Sequence, residues 1–295
     1  MPLVSFQLDG RPHLGKLFGD HVVDLAALGP QMPSTVIDFL AAGSSALTAF
    51  QALEDAGLPH VALRDLHLLP PVPNPEKYLG IGLNYRDHAS EAAKAGLQAP
   101  SSQLWFNKQV SCIIGPFDGV VKPAVSQQLD YEVELAVVIG RRCRNVSSAA
   151  ARDVIGGYMV ANDVSARDWQ FRSATITLGK SFDTHGPTGP WLTLAHEIDD
   201  PHTLDIRMFV NGEQRQSSNT RHMIHNIFEQ ISYLSTVMTL KPGDILATGT
   251  PAGVGMASDP PRFLSIGDVM RAEISAIGFI ENIVVADENA EQSAD

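Results

Sequence analysis

The stretch at residues 129–140, LDYEVELAVVIG, constrains the fold more than any other part of this chain. In an extended strand successive side chains point to opposite faces, so Asp130, Glu132 and Glu134 share one side while Leu129, Tyr131, Val133 and Leu135 cover the other. Three carboxylates on one face repel each other. Water or a cation must neutralise them, or they take up protons or destabilise the sheet. A solvated strand face and a cation site both satisfy this pattern.

With 295 residues the chain suits one large domain with a smaller appendage. Its net charge of -12, from 21 basic and 33 acidic residues, argues against nucleic acid as a partner, because phosphate binding needs basic surface. The N-terminus lacks a basic segment followed by an apolar one, and no apolar run reaches membrane-spanning length, so a cytoplasmic protein with no membrane partner is expected. Cys112 and Cys143 have no close-spaced metal motif and read as buried thiols.

Residues 1–70 read as a small N-terminal α+β domain of short strands followed by a helical stretch around residues 33–58. Its His13, His21 and His60 are isolated in sequence. Pro71, Pro73 and Pro75 mark an extended linker at residues 71–77, since proline fixes φ and removes amide donors. Residues 78–285 form the larger unit. Residues 78–83 predict a buried strand, and the Ala-rich run at 87–95 predicts a helix on which His88 and Glu91, three apart, share a face. The loop at 98–103 suggests that this segment moves as a lid. The rest is strand-rich, apart from a helix at 226–240, and the polar tail at 286–295 reads as disordered.

Chemistry could come from four further places. Asp163 ends an apolar run at 158–161, where a carboxylate either caps a following helix beginning near Ser165 and Ala166 or joins Glu132 and Glu134 as a hard oxygen ligand. Lys180 sits in the turn-rich LGKSFDTHGPTGPW, which offers a cation and backbone amides to a substrate carboxylate. Thr250 supplies a hydroxyl in TGTPAGVG, whose glycines permit close backbone approach. Arg86 lies beside His88 and could meet a second substrate carboxylate.

Taken together and in this order, GLNYRDHASE, DYEVELAVVIG, NDVSARDWQ, GKSFDTHGPTGPW and LKPGDILATGTPAGVG resemble the fumarylacetoacetate hydrolase family. The resemblance implies a strand-rich α+β fold, a mixed β-sandwich roll assembled as a homodimer. It further implies a divalent cation, Mg²⁺ or Mn²⁺ with Ca²⁺ possible, on Glu132, Glu134 and Asp163. His88 and Glu91 match a water-activating dyad, Lys180 an active-site lysine, Thr250 a substrate-contacting threonine and Gln170 a further polar contact.

The activity implied by the resemblance is that of a metal-dependent hydrolase that cleaves a carbon-carbon bond of an acylpyruvate or 2,4-diketo acid. The cation would stabilise enolate charge while His88, oriented by Glu91, deprotonates water. The same residues suit a β-keto acid decarboxylase or an isomerase, and a non-catalytic keto-acid binder would need the same scaffold. Specificity is expected from the loop at 98–103 and from side chains around Arg86, Phe106, Lys108 and Arg172.

Overall fold

The computed structural model describes residues 1–288 except 30, 56, 95 and 97–100; the tail beyond residue 288 and residues 98–100 of the expected lid loop at 98–103 lie outside the described residues. The N-terminal unit contains β1 (Leu3–Leu8), β2 (Arg11–Phe18), β3 (His21–Asp24), α1 (Val36–Ala42), α2 (Ser44–Ala52), β4 (His60–Ala62) and β5 (His67–Leu68). The larger unit opens with β6 (Tyr78–Gly82), α3 (Arg86–Lys94), β7 (Leu104–Lys108), β8 (Ile113–Ile114) and β9 (Val120–Lys122). Its centre holds β10 (Leu129–Asp130), β11 (Val133–Ile139), β12 (Ile155–Asn162), β13 (Ser165–Ala166), α4 (Arg167–Gln170) and β14 (Gly186–Leu194). It ends with β15 (Asp205–Val210), β16 (Glu213–Asn219), α5 (Ile227–Val237), β17 (Ile245–Ala247), β18 (Val269–Ile274) and β19 (Gly278–Ala286).

A large mixed sheet runs in the order β4-β3-β2-β1-β14-β12-β11-β17-β6-β7, and a second sheet in the order β16-β15-β18-β19-β9. The N-terminal strands therefore continue the main sheet across the Leu3↔Leu192 pairing. Strand β11 is buried on both faces, which explains its apolar run from Leu135 to Ile139. Its odd-numbered side chains, Val133 to Ile139, pack against Met208, Met270 and Ile280 of the second sheet and Ile231 of α5. Its even-numbered Ala136 and Val138 join Phe39, Leu40 and Phe50 of α1 and α2 in a second core. The result is three layers: two helices, the large sheet, and the second sheet with α5. This is the strand-rich α+β fold with mixed sheets that the sequence suggested.

Local signals explain the elements. Asn226 caps α5 by accepting from the Glu229 N–H, while the Glu229 carboxylate accepts from the Asn226 N–H, a reciprocal capping box. Cys112 and Cys143 are both free and buried, as expected. One expectation needs correction, and one of two open readings is excluded. His21 and His60 are not isolated, because β3 pairs with β4 in the register Val23↔His60 and sets the two imidazoles 4.6 Å apart. The face holding Asp130, Glu132 and Glu134 is not solvated: all three are buried.

Candidate active site

Strand register makes the site. Antiparallel pairing of Val133 with Asn162 puts the start of β11 beside the end of β12, and the Asp163 N–H closes on the Glu132 carbonyl at 2.8 Å. β17 pairs with β11 through Ala247↔Ala136, and β6 runs parallel to β17 through Ala247↔Gly80. The loop after β17 and helix α3 after β6 therefore leave the sheet at the edge where Glu132, Glu134 and Asp163 sit. One ligand atom from each of these three lies within 4.8 Å of the others. Asp163 does not cap a helix: Ser165 and Ala166 form β13, and α4 begins without a side-chain cap.

Buried cations surround the carboxylates. Lys108 donates to Asp163 Oδ1 at 2.6 Å and to the Lys180 carbonyl, while Lys180 reaches Asp163 Oδ2 at 2.7 Å and Glu132 Oε2 at 2.5 Å. Arg167 pairs with Glu132 at 2.7 Å and with Asp130 at 2.9 Å, and donates to Gln170 Oε1 at 2.9 Å. Asp130 also accepts the N–H groups of Tyr131, Gly255 and Met256, so it ties the loop after β17 to the sheet. The cluster holds four carboxylates (Asp130, Glu132, Glu134, Asp163) against three cations (Lys108, Arg167, Lys180).

Glu134 carries the excess. It accepts the Gly249 N–H at 2.8 Å and has no ion pair among the described residues, and burial with the charges of Asp163 and Glu132 pushes its carboxyl well above the usual range. Glu132 is held below the usual carboxylate range by Arg167 and Lys180, which outweigh its desolvation. A buried all-oxygen set with one uncompensated carboxylate fits a hard divalent cation, which would be held by Glu132, Glu134 and Asp163.

The loop after β17 is built on glycine. Gly249 (φ +99) aims its N–H at Glu134, and Gly253 (φ +101) donates to Glu91 Oε1 at 3.0 Å. A Cβ on Gly253 would lie 2.1 Å from the Arg215 carbonyl oxygen, so no other residue fits there. The other Glu91 oxygen meets His88 Nδ1 at 2.8 Å. Nδ1–H donation to the carboxylate leaves Nε2 as the free lone pair. Asn84 fixes the root of α3 by donating to the His225 and Thr248 carbonyls, and Asp87 accepts from the His88 N–H and from Ser218.

A cavity of about 340 Å³ unites these groups, lined among others by His88, Glu91, Glu132, Glu134, Gln170, Lys180 and Thr250. Asp163 lies behind that wall, fully buried. The Thr250 hydroxyl donates to the Val133 carbonyl at 2.9 Å and accepts from Gln216 at 2.8 Å. Arg86 is not brought to the wall: it is exposed and donates to the Arg221 carbonyl at 3.4 Å. Arg172 stacks 3.7 Å over Trp169, and Lys108 is sealed beneath Asp163. Sequence reasoning missed Lys108 as a partner of the acidic centre, and with it Arg167 and Gln216. Lys108 gave a signal, a charge on the same strand face as Phe106.

Fold and cavity define a mixed β-sandwich protein with a buried carboxylate centre and a histidine-glutamate dyad on one wall. The chain belongs to the fumarylacetoacetate hydrolase family: residues 77–285 match fumarylacetoacetate (FAA) hydrolase C-terminal. It is 42% identical over 290 residues to the mitochondrial oxaloacetate tautomerase Fahd2a of Rattus norvegicus, covering 97% of this chain and 92% of that protein. Among solved structures it resembles fumarylacetoacetate hydrolase of Exiguobacterium antarcticum, with a TM-score of 0.86 and 35% identity, covering 97% and 100% of the two chains. It also resembles maleylpyruvate hydrolase of Sphingobium sp. SYK-6 in complex with manganese(II) ion and pyruvate, with a TM-score of 0.82 and 34% identity over 98% and 100% of the chains. No helix among the described residues is long and apolar enough to cross a membrane.

Proposed function

We propose that this protein is a divalent-cation-dependent enzyme that interconverts the keto and enol forms of a small 2-keto acid. The observation that carries this reading is the placement of His88, with Nε2 free, on the same cavity wall as Glu132 and Glu134. A Mg²⁺ or Mn²⁺ ion held by Glu132, Glu134 and Asp163 would supply Lewis acidity toward the substrate's carboxylate and keto oxygens. Glu91, fixed by the Gly253 N–H, orients His88 through its Nδ1. His88 removes a proton from the carbon beside the keto group and returns one to either end of the enolate. Lys180 and Arg167 keep Glu132 ionised, and Lys180 holds Asp163 in place. The tautomerase activity in the name of the rat relative supports this reading, and the transferred chemistry needs only one proton donor and acceptor.

A second reading, hydrolysis of an acylpyruvate, is favoured by the likeness to maleylpyruvate hydrolase. There His88 takes the proton of a water whose oxygen adds to the distal carbonyl; the carbon-carbon bond then breaks, and the departing enolate is protonated to pyruvate. The protein incubated with Mn²⁺ and acetylpyruvate, fumarylpyruvate or enolic oxaloacetate separates the outcomes. Loss of enol absorbance without pyruvate means tautomerisation, pyruvate plus a second acid means hydrolysis, and pyruvate plus CO₂ means decarboxylation. No change with any of the three contradicts both readings.

A further inference from the structure

Away from the cavity, the N-terminal unit brings together two imidazoles and a carboxylate that the sequence keeps far apart. His21 opens β3, His60 opens β4, and Asp55 follows α2. The antiparallel register, His21↔Ala62 and Val23↔His60, makes the two histidines diagonal neighbours on one face of the strand pair. Asp55 Oδ1 lies 2.8 Å from His21 Nε2. One ligand atom from each of the three lies within 4.8 Å of the others.

The second nitrogen of each ring is engaged elsewhere. His21 Nδ1 faces Asp20 Oδ1 at 3.4 Å, and His60 Nδ1 faces the Leu58 carbonyl oxygen at 3.3 Å. Donation from Nδ1–H to these oxygens leaves Nε2 of each ring for an ion, the outer-sphere arrangement that sets tautomer and ring direction in histidine metal sites. Spacing agrees with this use. Two imidazoles on one tetrahedral ion, with bonds of about 2.0–2.1 Å, have ring centres about 5 Å apart, against 4.6 Å here. Neighbouring donors round such an ion lie roughly 3 Å apart, close to the 2.8 Å between His21 Nε2 and Asp55 Oδ1.

We infer that His21, His60 and Asp55 form a second metal site, selective for a borderline ion of the Zn²⁺ class, with water completing the coordination. Two imidazole nitrogens and one carboxylate suit Zn²⁺, whereas Mg²⁺ takes an all-oxygen set such as Glu132, Glu134 and Asp163. None of the three residues lines the cavity, so the site is independent of the activity proposed above. Asp55 and His60 are exposed and His21 is partly so, which gives an ion access without unfolding. Bound there, the ion clips the strand pair β3–β4 to the segment after α2, joining the sheet and helix layers of the N-terminal unit.

Equilibrium dialysis of tag-free protein against low micromolar Zn²⁺, with millimolar Mg²⁺ competing at the acidic centre, tests this by difference. His60→Ala and Asp55→Asn alter exposed side chains, and their circular dichroism should match wild type. Each should bind one equivalent of zinc fewer than wild type, its affinity at this site weakened by roughly tenfold or more. His67→Ala, which removes an exposed histidine bonded to Gln7 and Asp118, should bind as much zinc as wild type. Equal zinc uptake by wild type and His60→Ala, or an equal loss in His67→Ala, overturns the inference. A loss in His60→Ala that Asp55→Asn does not share also overturns it, because the zinc would then be held by surface histidine alone.

Discussion

Lys108 and Asp163 form a wholly buried ion pair, Nζ to Oδ1 at 2.6 Å, while Lys180 holds the other Asp163 oxygen at 2.7 Å. Asp163 is thus fixed from two sides before any ligand arrives. Lys108→Met removes one partner from a buried charge and should destabilise the protein by about 3–5 kcal/mol, read from urea unfolding in the presence of chelator. A loss below about 1 kcal/mol would show that the pair is not a structural support.

Glu134 should respond in the opposite sense. Its carboxyl is raised by burial and by Asp163 and Glu132, so the folded state holds its proton to higher pH than the unfolded chain does. That contribution is fully present below the unfolded pKa of about 4.5 and is lost as pH rises toward the folded value. In metal-free protein at pH 8, Glu134→Gln should therefore be as stable as wild type or more so. Adding Mn²⁺ at a hundredfold excess over its dissociation constant should stabilise the wild type by about 2.7 kcal/mol and the variant far less. Equal stabilisation of both would remove Glu134 from the ligand set.

His88→Ala should lower kcat by roughly 10²–10⁴ while leaving Mn²⁺ affinity nearly unchanged, because His88 is absent from the carboxylate cluster. Glu91→Gln should fall between the two, since the amide can still accept from His88 but carries no charge. Activity within about threefold of wild type for His88→Ala would assign the proton transfer elsewhere.

His185 supplies an acid-side signature away from the cavity. Burial lowers its pKa to about 3, and Nε2 lies 3.0 Å from the Val121 carbonyl. The folded state keeps this imidazole neutral, so its contribution is present above the unfolded value of about 6.5. It declines by up to about 1.4 kcal/mol per pH unit as pH falls toward 3. A His185→Gln variant should show a shallower loss of stability across that window in chemical denaturation. An unchanged slope would mean that His185 takes up its proton without unfolding.

Much of the site was legible from residue order because the chemistry depends on short-range patterns. The Glu132-x-Glu134 spacing at the start of β11 and the His88-x-x-Glu91 spacing on α3 each bring together two groups close in sequence, which sequence periodicity can read. What places Asp163 against Glu132 is the Val133↔Asn162 register, a pairing between strands. Sequence spacing cannot supply it. The solvated reading of the 130–134 face failed because solvation is decided by what covers a strand, and here β11 is covered on both faces. The contacts of Lys108, Arg167 and Gln216 with this centre were missed for the same reason, since each acts on a residue remote in sequence. Arg86 was attractive through its nearness to His88, yet its guanidinium meets the Arg221 carbonyl and does not reach the cavity wall.

The central claim is that the carboxylate cluster and His88 together enolise a 2-keto acid. Exchange of the C3 hydrogens of 2-oxohexanoate in D₂O, followed by proton NMR with Mg²⁺-loaded protein, tests it most directly. Exchange should be accelerated well above the buffer rate, should stop on chelation, and should fall at least a hundredfold in His88→Ala. Exchange no faster than in buffer, or unaffected by removing the cation, would contradict the account.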